Sequence, residues 1–278
     1  MLPHWMLYGV SDFLFVTLFY IMPYRKKVVM DNLTKSFPEK SPSEIRSICR
    51  KFYHHFTDLV IESLKNFSIS EKEVNKRMLG TGLETLEMLH NKGKSIILCG
   101  GHYANWEFWA LACSSHFKHP VYALYTKLTN PFFEKKMKAS REKYGLKMIP
   151  TKEYSQFLKD NITKIQFTSV FGFDQSPSNP DRAVWITFLG RDTAAHFGAE
   201  KYAKEYNLPV VFGHKRKLSR GCYSVHYELV TENPNSFAHG ELTQRLHDIL
   251  EKNIRETPQY WLWSHKRWKH KRQNQQNA

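Results

Sequence analysis

His102 and Glu107 stand five residues apart, directly after a Gly100-Gly101 pair, in the stretch SIILCGGHYANWEFWAL that runs from Ser95 to Leu111. A neutral imidazole that titrates near pH 6.5 suits general-base work close to neutrality. On one continuous helix the two side chains would point about 140° apart, so they meet only if His102 lies in the loop before a helix and Glu107 in its first turn. There the carboxylate also complements the helix dipole, and it could hold the imidazole in the tautomer that accepts a proton from a hydroxyl. As a bare His-x-x-x-x-Glu string, the pair reads equally as a hydrogen-bonded histidine at a strand end beside a solvated glutamate, because short patterns recur by chance.

The surrounding elements decide between these readings. Ser95–Cys99 is a short apolar run of the kind buried on both faces of a parallel sheet, and the two glycines after it permit a tight turn or a close backbone approach. Further strands are predicted at 121–125, 147–149, 168–173, 184–188, 209–213 and 223–230, with helical patterns at 105–115, 131–144, 154–161, 195–206 and 241–255. Strands alternating with helices imply an α/β fold with a mostly parallel central sheet flanked by helices. His102 therefore arrives at the carboxyl edge of a strand, where ligands gather in open α/β sheets. Asp174 and Gln175, in FGFDQSPSNPDR, arrive at the same edge, either to support chemistry or as an Asx-type turn. Upstream, Ile45, Ile48, Cys49, Phe52, Phe56, Leu59 and Val60 recur at helical spacing behind Ser43, a candidate N-cap.

The 278 residues carry 41 Lys and Arg against 26 Asp and Glu, a formal charge of +15 that points to a polyanionic partner: nucleic acid, an anionic lipid surface or an acidic carrier. Four scattered cysteines offer neither a disulfide framework nor zinc-ligand spacing, and a reducing compartment fits them best. Trp5 to Met22 is apolar apart from Ser11, Asp12 and Thr17, and YRKK follows at 24–27. His4, Tyr8, Ser11 and Asp12 form one stripe of a helix, so residues 1–23 are expected to lie in a membrane interface or to dock that stripe on the protein. An Asp in mid-helix argues against a free-standing span. At the other end, WLWSHKRWKHKR interleaves three tryptophans with basic residues, which suits a membrane interface with anionic head groups or single-stranded nucleic acid. The expected organisation is a membrane-associating helix (1–23), one catalytic domain (24–272) and a disordered tail (273–278).

The block GGHYANWE, with its preceding strand, resembles the G-H-x-G-N-W-E block of the lipid A biosynthesis (late, secondary) acyltransferases, within the wider lysophospholipid acyltransferase class. Five further segments resemble family blocks in the right order: 22–39, 129–134, 171–177, 188–213 and 260–269. The resemblance implies transfer of a fatty acyl chain from an acyl carrier protein or coenzyme A thioester to a hydroxyl of a lipid A precursor, on the cytoplasmic face of the inner membrane. His102 would be the general base and Glu107 its partner, with no cofactor or metal. Asn105, Lys127, Asp174, Gln175 and Arg191 are the expected substrate contacts. The oxyanion donors would be backbone amides of residues 100–103 and a basic side chain. The family pattern often places an arginine after the tyrosine of the next strand; here Thr126 stands there, with Lys127 adjacent. The family usually shows D-Q-D where this chain has Asp174-Gln175-Ser176. Acylation of another lipid, such as a lysophospholipid or a hydroxylated aminolipid, is the nearest rival. A basic RNA-binding protein explains the charge but leaves the GGHYANWE block without a purpose.

Overall fold

The computed structural model describes residues 4–272. In chain order the elements are α1 (His4–Val16), α2 (Lys26–Ser36), α3 (Pro42–Lys65), α4 (Glu71–Arg77), β1 (Met78–Thr81), α5 (Leu83–Asn91), β2 (Ile96–Gly100), α6 (Trp106–Ala112), β3 (Val121–Tyr125), α7 (Pro131–Glu142), β4 (Lys147–Pro150), α8 (Tyr154–Asn161), β5 (Thr168–Gly172), β6 (Ala183–Phe188), β7 (Arg191–His196), α9 (Gly198–Glu205), β8 (Val210–Ser219), β9 (Cys222–Thr231) and α10 (Glu241–Glu256). Seven strands form the central sheet in the order β1-β9-β8-β2-β5-β3-β4. Five of them run parallel, while β9 reverses against β8 and carries β1 with it.

The apolar runs behave as their composition requires. Ile96, Ile97, Leu98 and Cys99 of β2 are all buried, covered on both faces, which is why they show no alternation. The strand expected at 184–188 does form, but outside the sheet: β6 pairs antiparallel with β7 as a separate hairpin. Its two connecting residues, Leu189 and Gly190, both have positive φ, as a tight hairpin turn with the right twist demands. That hairpin takes up Ala195 and His196, so the helix expected from residue 195 starts only at Gly198.

Helix α3 is capped two residues earlier than Ser43 implied. Ser41 is the N-cap, closing a reciprocal capping box with Glu44, and Pro42 occupies the first helical position. The α3 face that this aligns receives α1. The Tyr8 hydroxyl donates to Glu62 at 2.9 Å, the Ser11 hydroxyl to Asp58 at 2.8 Å, and Arg220 from the β8–β9 turn bridges Asp12 and Asp58. The polar stripe of the N-terminal segment therefore docks on the protein. The opposite side leaves Trp5, Phe13, Tyr20, Ile21 and Met22 exposed. Among the described residues no single helix is long and apolar enough to cross a membrane; the segments Trp5–Ile21 and Lys26–Ser36 are bent by 83° at the break between them. The expected tail at 273–278 lies outside the described residues, as does the side chain of His4.

Candidate active site

Strand β2 ends at Gly100, paired in register with Gly172 at the end of β5. Gly101 turns the chain, and His102 swings its ring over Gly172, where an added Cβ would stand only 3.3 Å from Cε1. The missing side chain at 172 thus makes the seat of the imidazole. The His102 Nδ1–H donates to Asp174 Oδ1 at 2.7 Å, and the His102 backbone N–H donates to Oδ2 at 2.8 Å. The Trp261 indole N–H also donates to Oδ2, at 2.8 Å. Asp174 is 2% exposed, and burial by itself would raise its pKa. The imidazole beside it and the three N–H donors outweigh that penalty and hold the carboxyl well below its ordinary range. With the proton on Nδ1, the Nε2 lone pair is left facing the Gln175 amide nitrogen, 3.3 Å away, and the open cleft.

That cleft has a volume of about 620 Å³. Its wall beyond His102 is largely apolar, including Leu124, Met137, Met148, Val170 and Tyr202. An extended hydrocarbon chain suits such a lining, and a base at its mouth can act on a group delivered there.

The expected His102–Glu107 pair does not form. Helix α6 begins at Trp106, with Asn105 as its N-cap and Ala104 in a left-handed turn at φ 52°, and this turn separates the two side chains. The Glu107 carboxylate instead receives a two-pronged ion pair from Arg141 on α7, at 2.6 and 3.0 Å, and the Trp106 indole N–H at 3.2 Å. Both members of the pair line the cleft. Asn105 is fully buried: its Oδ1 accepts from the Phe108 N–H at 2.7 Å and its amide donates to Glu62 at 2.6 Å, so both ends are spent on structure. Lys127 points away from the site and pairs with Glu153 at 2.8 Å, both side chains more than half exposed. Arg191 lies flat on the Trp268 ring, 3.8 Å from its centroid, and is not part of the cleft lining. Of the expected contacts, Asp174 and Gln175 join His102; Glu107 lines the cleft at a distance, while Asn105, Lys127 and Arg191 do not reach it.

The aromatic C-terminal stretch is not an exposed patch. Trp261, Trp263 and Arg267 are all buried, and residues 260–265 strap the loop that carries His102 in place. The Ala104 N–H donates to the Tyr260 carbonyl at 2.9 Å and the Leu262 N–H to the His102 carbonyl at 3.2 Å. His265 Nε2 accepts from the Ser176 N–H at 3.0 Å, and burial pushes its pKa down to about 4, so it stays a neutral acceptor. Tryptophan side chains bury large areas when their N–H finds a partner, and here the partner of Trp261 is Asp174 itself.

Two side chains in the site are not among the expected contacts: Trp261, although it lies within the 260–269 block, and Lys215 on β8. Lys215 follows Gly213 by two positions, so its side chain shares that glycine's inward face of the strand. Alternation along β8 could have marked it as buried, but a lysine among basic neighbours reads as surface.

A carboxylate-oriented histidine with a free Nε2, at the mouth of a largely apolar cleft, can remove a proton from a hydroxyl and return it to a leaving group. A family model described as bacterial lipid A biosynthesis acyltransferase matches residues 1–270. No curated protein matches the chain. With the match covering nearly its whole length, the chain belongs to the family of bacterial lipid A biosynthesis acyltransferases.

Proposed function

We propose that this acyltransferase moves a fatty acyl chain from an acyl carrier protein or coenzyme A thioester to a hydroxyl of a lipid A precursor, with His102 as general base and Asp174 as its orienting partner. The observation that carries this reading is the 2.7 Å contact between His102 Nδ1 and the Asp174 carboxylate, which in the neutral ring places the proton on Nδ1 and leaves Nε2 as the acceptor at the cleft. The acceptor hydroxyl would give its proton to Nε2 as its oxygen attacks the thioester carbonyl, and the imidazolium so formed is stabilised by the buried carboxylate. Collapse of the tetrahedral intermediate expels the thiolate, which takes the proton from His102. Gln175, now against Nε2, would yield that position to the acceptor.

The enzyme would work on the cytoplasmic face of the inner membrane. Support comes from the exposed apolar side of α1 and of the π-helical turn after it (Thr17–Ile21), followed by Arg25, Lys26 and Lys27, an arrangement that fits insertion to the depth of the head groups with bases against lipid phosphates. The formal charge of +15 also suits an acidic acyl carrier protein.

The test is mass spectrometry of lipid A and total lipids from cells lacking the gene, complemented with wild type, His102→Ala or Asp174→Asn. Loss of one acyl chain from lipid A, restored by wild type alone, is the expected result. A chain missing from another lipid would move the acceptor; restoration by His102→Ala would overturn the mechanism.

A further inference from the structure

Lys215 is a buried cation at the reacting end of the cleft, 4% exposed. A Cβ on Gly100 would stand 2.7 Å from its Nζ, just as one on Gly172 would touch the His102 ring. Gly100 and Gly172 are register partners on adjacent parallel strands, so their Cβ directions share one face of the sheet, about 4.8 Å apart. The ammonium and the imidazole therefore sit side by side over two matched glycines. Among the described residues Lys215 has no ion pair and no hydrogen bond; its Nζ lies over the Trp109 ring face, 5.0 Å from the centroid.

Two other basic side chains that could stabilise an oxyanion, and the His102 amide, are occupied. The His102 amide donates to Asp174, Lys127 pairs with Glu153 outside the cleft, and Arg141 is held by both oxygens of Glu107. A buried ammonium without a partner is costly, and a site retains one where charge develops during reaction. Resting on the acyl-transfer reading above, we infer that Lys215 Nζ donates to the thioester carbonyl oxygen and stabilises the tetrahedral oxyanion. As the acceptor oxygen bonds to the carbonyl carbon, its proton passes to His102 Nε2 and the C=O π pair moves onto the oxygen facing Lys215. When that pair returns, the C–S bond breaks and the thiolate takes the proton from His102. Lys215 neither gains nor loses a proton. Its charged and titratable neighbours are Asp174 and His102 at the β5 and β2 ends, the Cys113 thiol behind α6, which burial pushes up to about 12, and the Glu107–Arg141 pair across the cleft.

The experiment compares wild type, Lys215→Met, Lys215→Gln and His102→Ala in acyl transfer, and titrates each with two unreactive analogues of an acyl-pantetheine. One analogue is a neutral thioether; the other is a methylphosphonate whose anionic oxygen replaces the oxyanion. Lys215→Met should lower kcat by about 10²–10³ with the donor KM little changed, and should weaken phosphonate binding by about 10² while sparing the thioether. Full kcat in Lys215→Met, or equal loss of both analogues, overturns the inference. If the variants fail to fold, the wild-type pH dependence decides: phosphonate affinity, unlike thioether affinity, should fall as pH rises past about 8, and parallel curves overturn it. If wild type transfers no acyl chain, or His102→Ala transfers as well as wild type, the acyl-transfer reading fails on that result, while selective phosphonate binding still decides the role of Lys215.

Discussion

The Asp174 carboxylate holds His102 at two points, taking the Nδ1–H on one oxygen and the backbone N–H on the other. Ring tautomer and loop position are fixed by one side chain. Asp174→Asn should therefore lower kcat by roughly 10³–10⁴ with little effect on either KM, as the wrong tautomer does in a Ser-His-Asp triad. Because the two residues act as a unit, the His102→Ala and Asp174→Asn losses should not add in the double variant. A full kinetic cycle checks this, and additive losses would show that the residues work independently.

Glu107 should behave differently despite its place in the motif. Its partner is Arg141, so Glu107→Ala leaves the His102 tautomer intact and removes one side of a partly buried ion pair joining α6 to α7. Removing one member of a buried pair costs about 3–5 kcal/mol; Arg141, at 30% side-chain exposure, is partly solvated, and about 1–3 kcal/mol is expected. Adding Arg141→Met should recover part of that stability without recovering any His102 function that was never lost. Thermal melts with kcat measured alongside test this. A kcat loss in Glu107→Gln as deep as that of Asp174→Asn would restore Glu107 to the catalytic pair.

What the chain reveals in advance divides along physical lines. β2 is legible as a continuous apolar run buried on both faces, and β3 (half-buried beyond Val121) and β5 as short runs of β-branched and aromatic residues of strand length. The carboxyl edge they share is legible too, and it brings His102, Asp174 and Gln175 together. Which carboxylate meets His102 is not: Glu107 is five residues away and Asp174 is 72, and the short separation is cancelled by the left-handed turn at Ala104. The Leu189-Gly190 hairpin lacks the usual Asn-Gly signal, so β7 is missed and its last two residues read as a helix start. In the C-terminal strap, Arg25 and Asn32 cap the carbonyls of Ser264, Trp263 and His265, partners supplied from more than 230 residues upstream. Composition alone made that segment look like a surface.

The docking of α1 carries its own pH signature through Glu62. Burial pushes this carboxyl up to about 7, against the hydrogen bonds from Tyr223 and Tyr8 that favour its ionised form. The native state then holds a proton that the unfolded chain releases near its ordinary pKa of 4.5, so this group's stabilising contribution is complete below about pH 4.5 and is lost as pH rises through about 7. Each unit of displacement corresponds to about 1.4 kcal/mol. Glu62→Gln should remove that slope, since its Oε1 can still accept from Tyr223 and Asn105. Urea unfolding of both proteins from pH 4.5 to 8 measures the difference, and curves that stay parallel would show that Glu62 does not titrate in this range.

Lys215 predicts a slope of the opposite sign and a trade of stability for activity. Burial pushes its pKa down to about 8, against the attraction of Asp174, from an ordinary value of 10.5. Between those two values the unfolded chain binds the proton that the native state has released, so stability rises with pH across the window. Below about pH 8 the native protein bears the cost of a buried charge, which an apolar side chain of similar length does not incur. Lys215→Met should accordingly unfold at a higher temperature than wild type at pH 7, with the gap closing as pH approaches 10. A gain in Tm together with a loss in kcat is the signature of a charge kept for chemistry rather than for folding. Calorimetry at pH 7 and pH 9.5 tests it: a variant less stable than wild type at pH 7 would mean that the ammonium supports the fold through its neighbours.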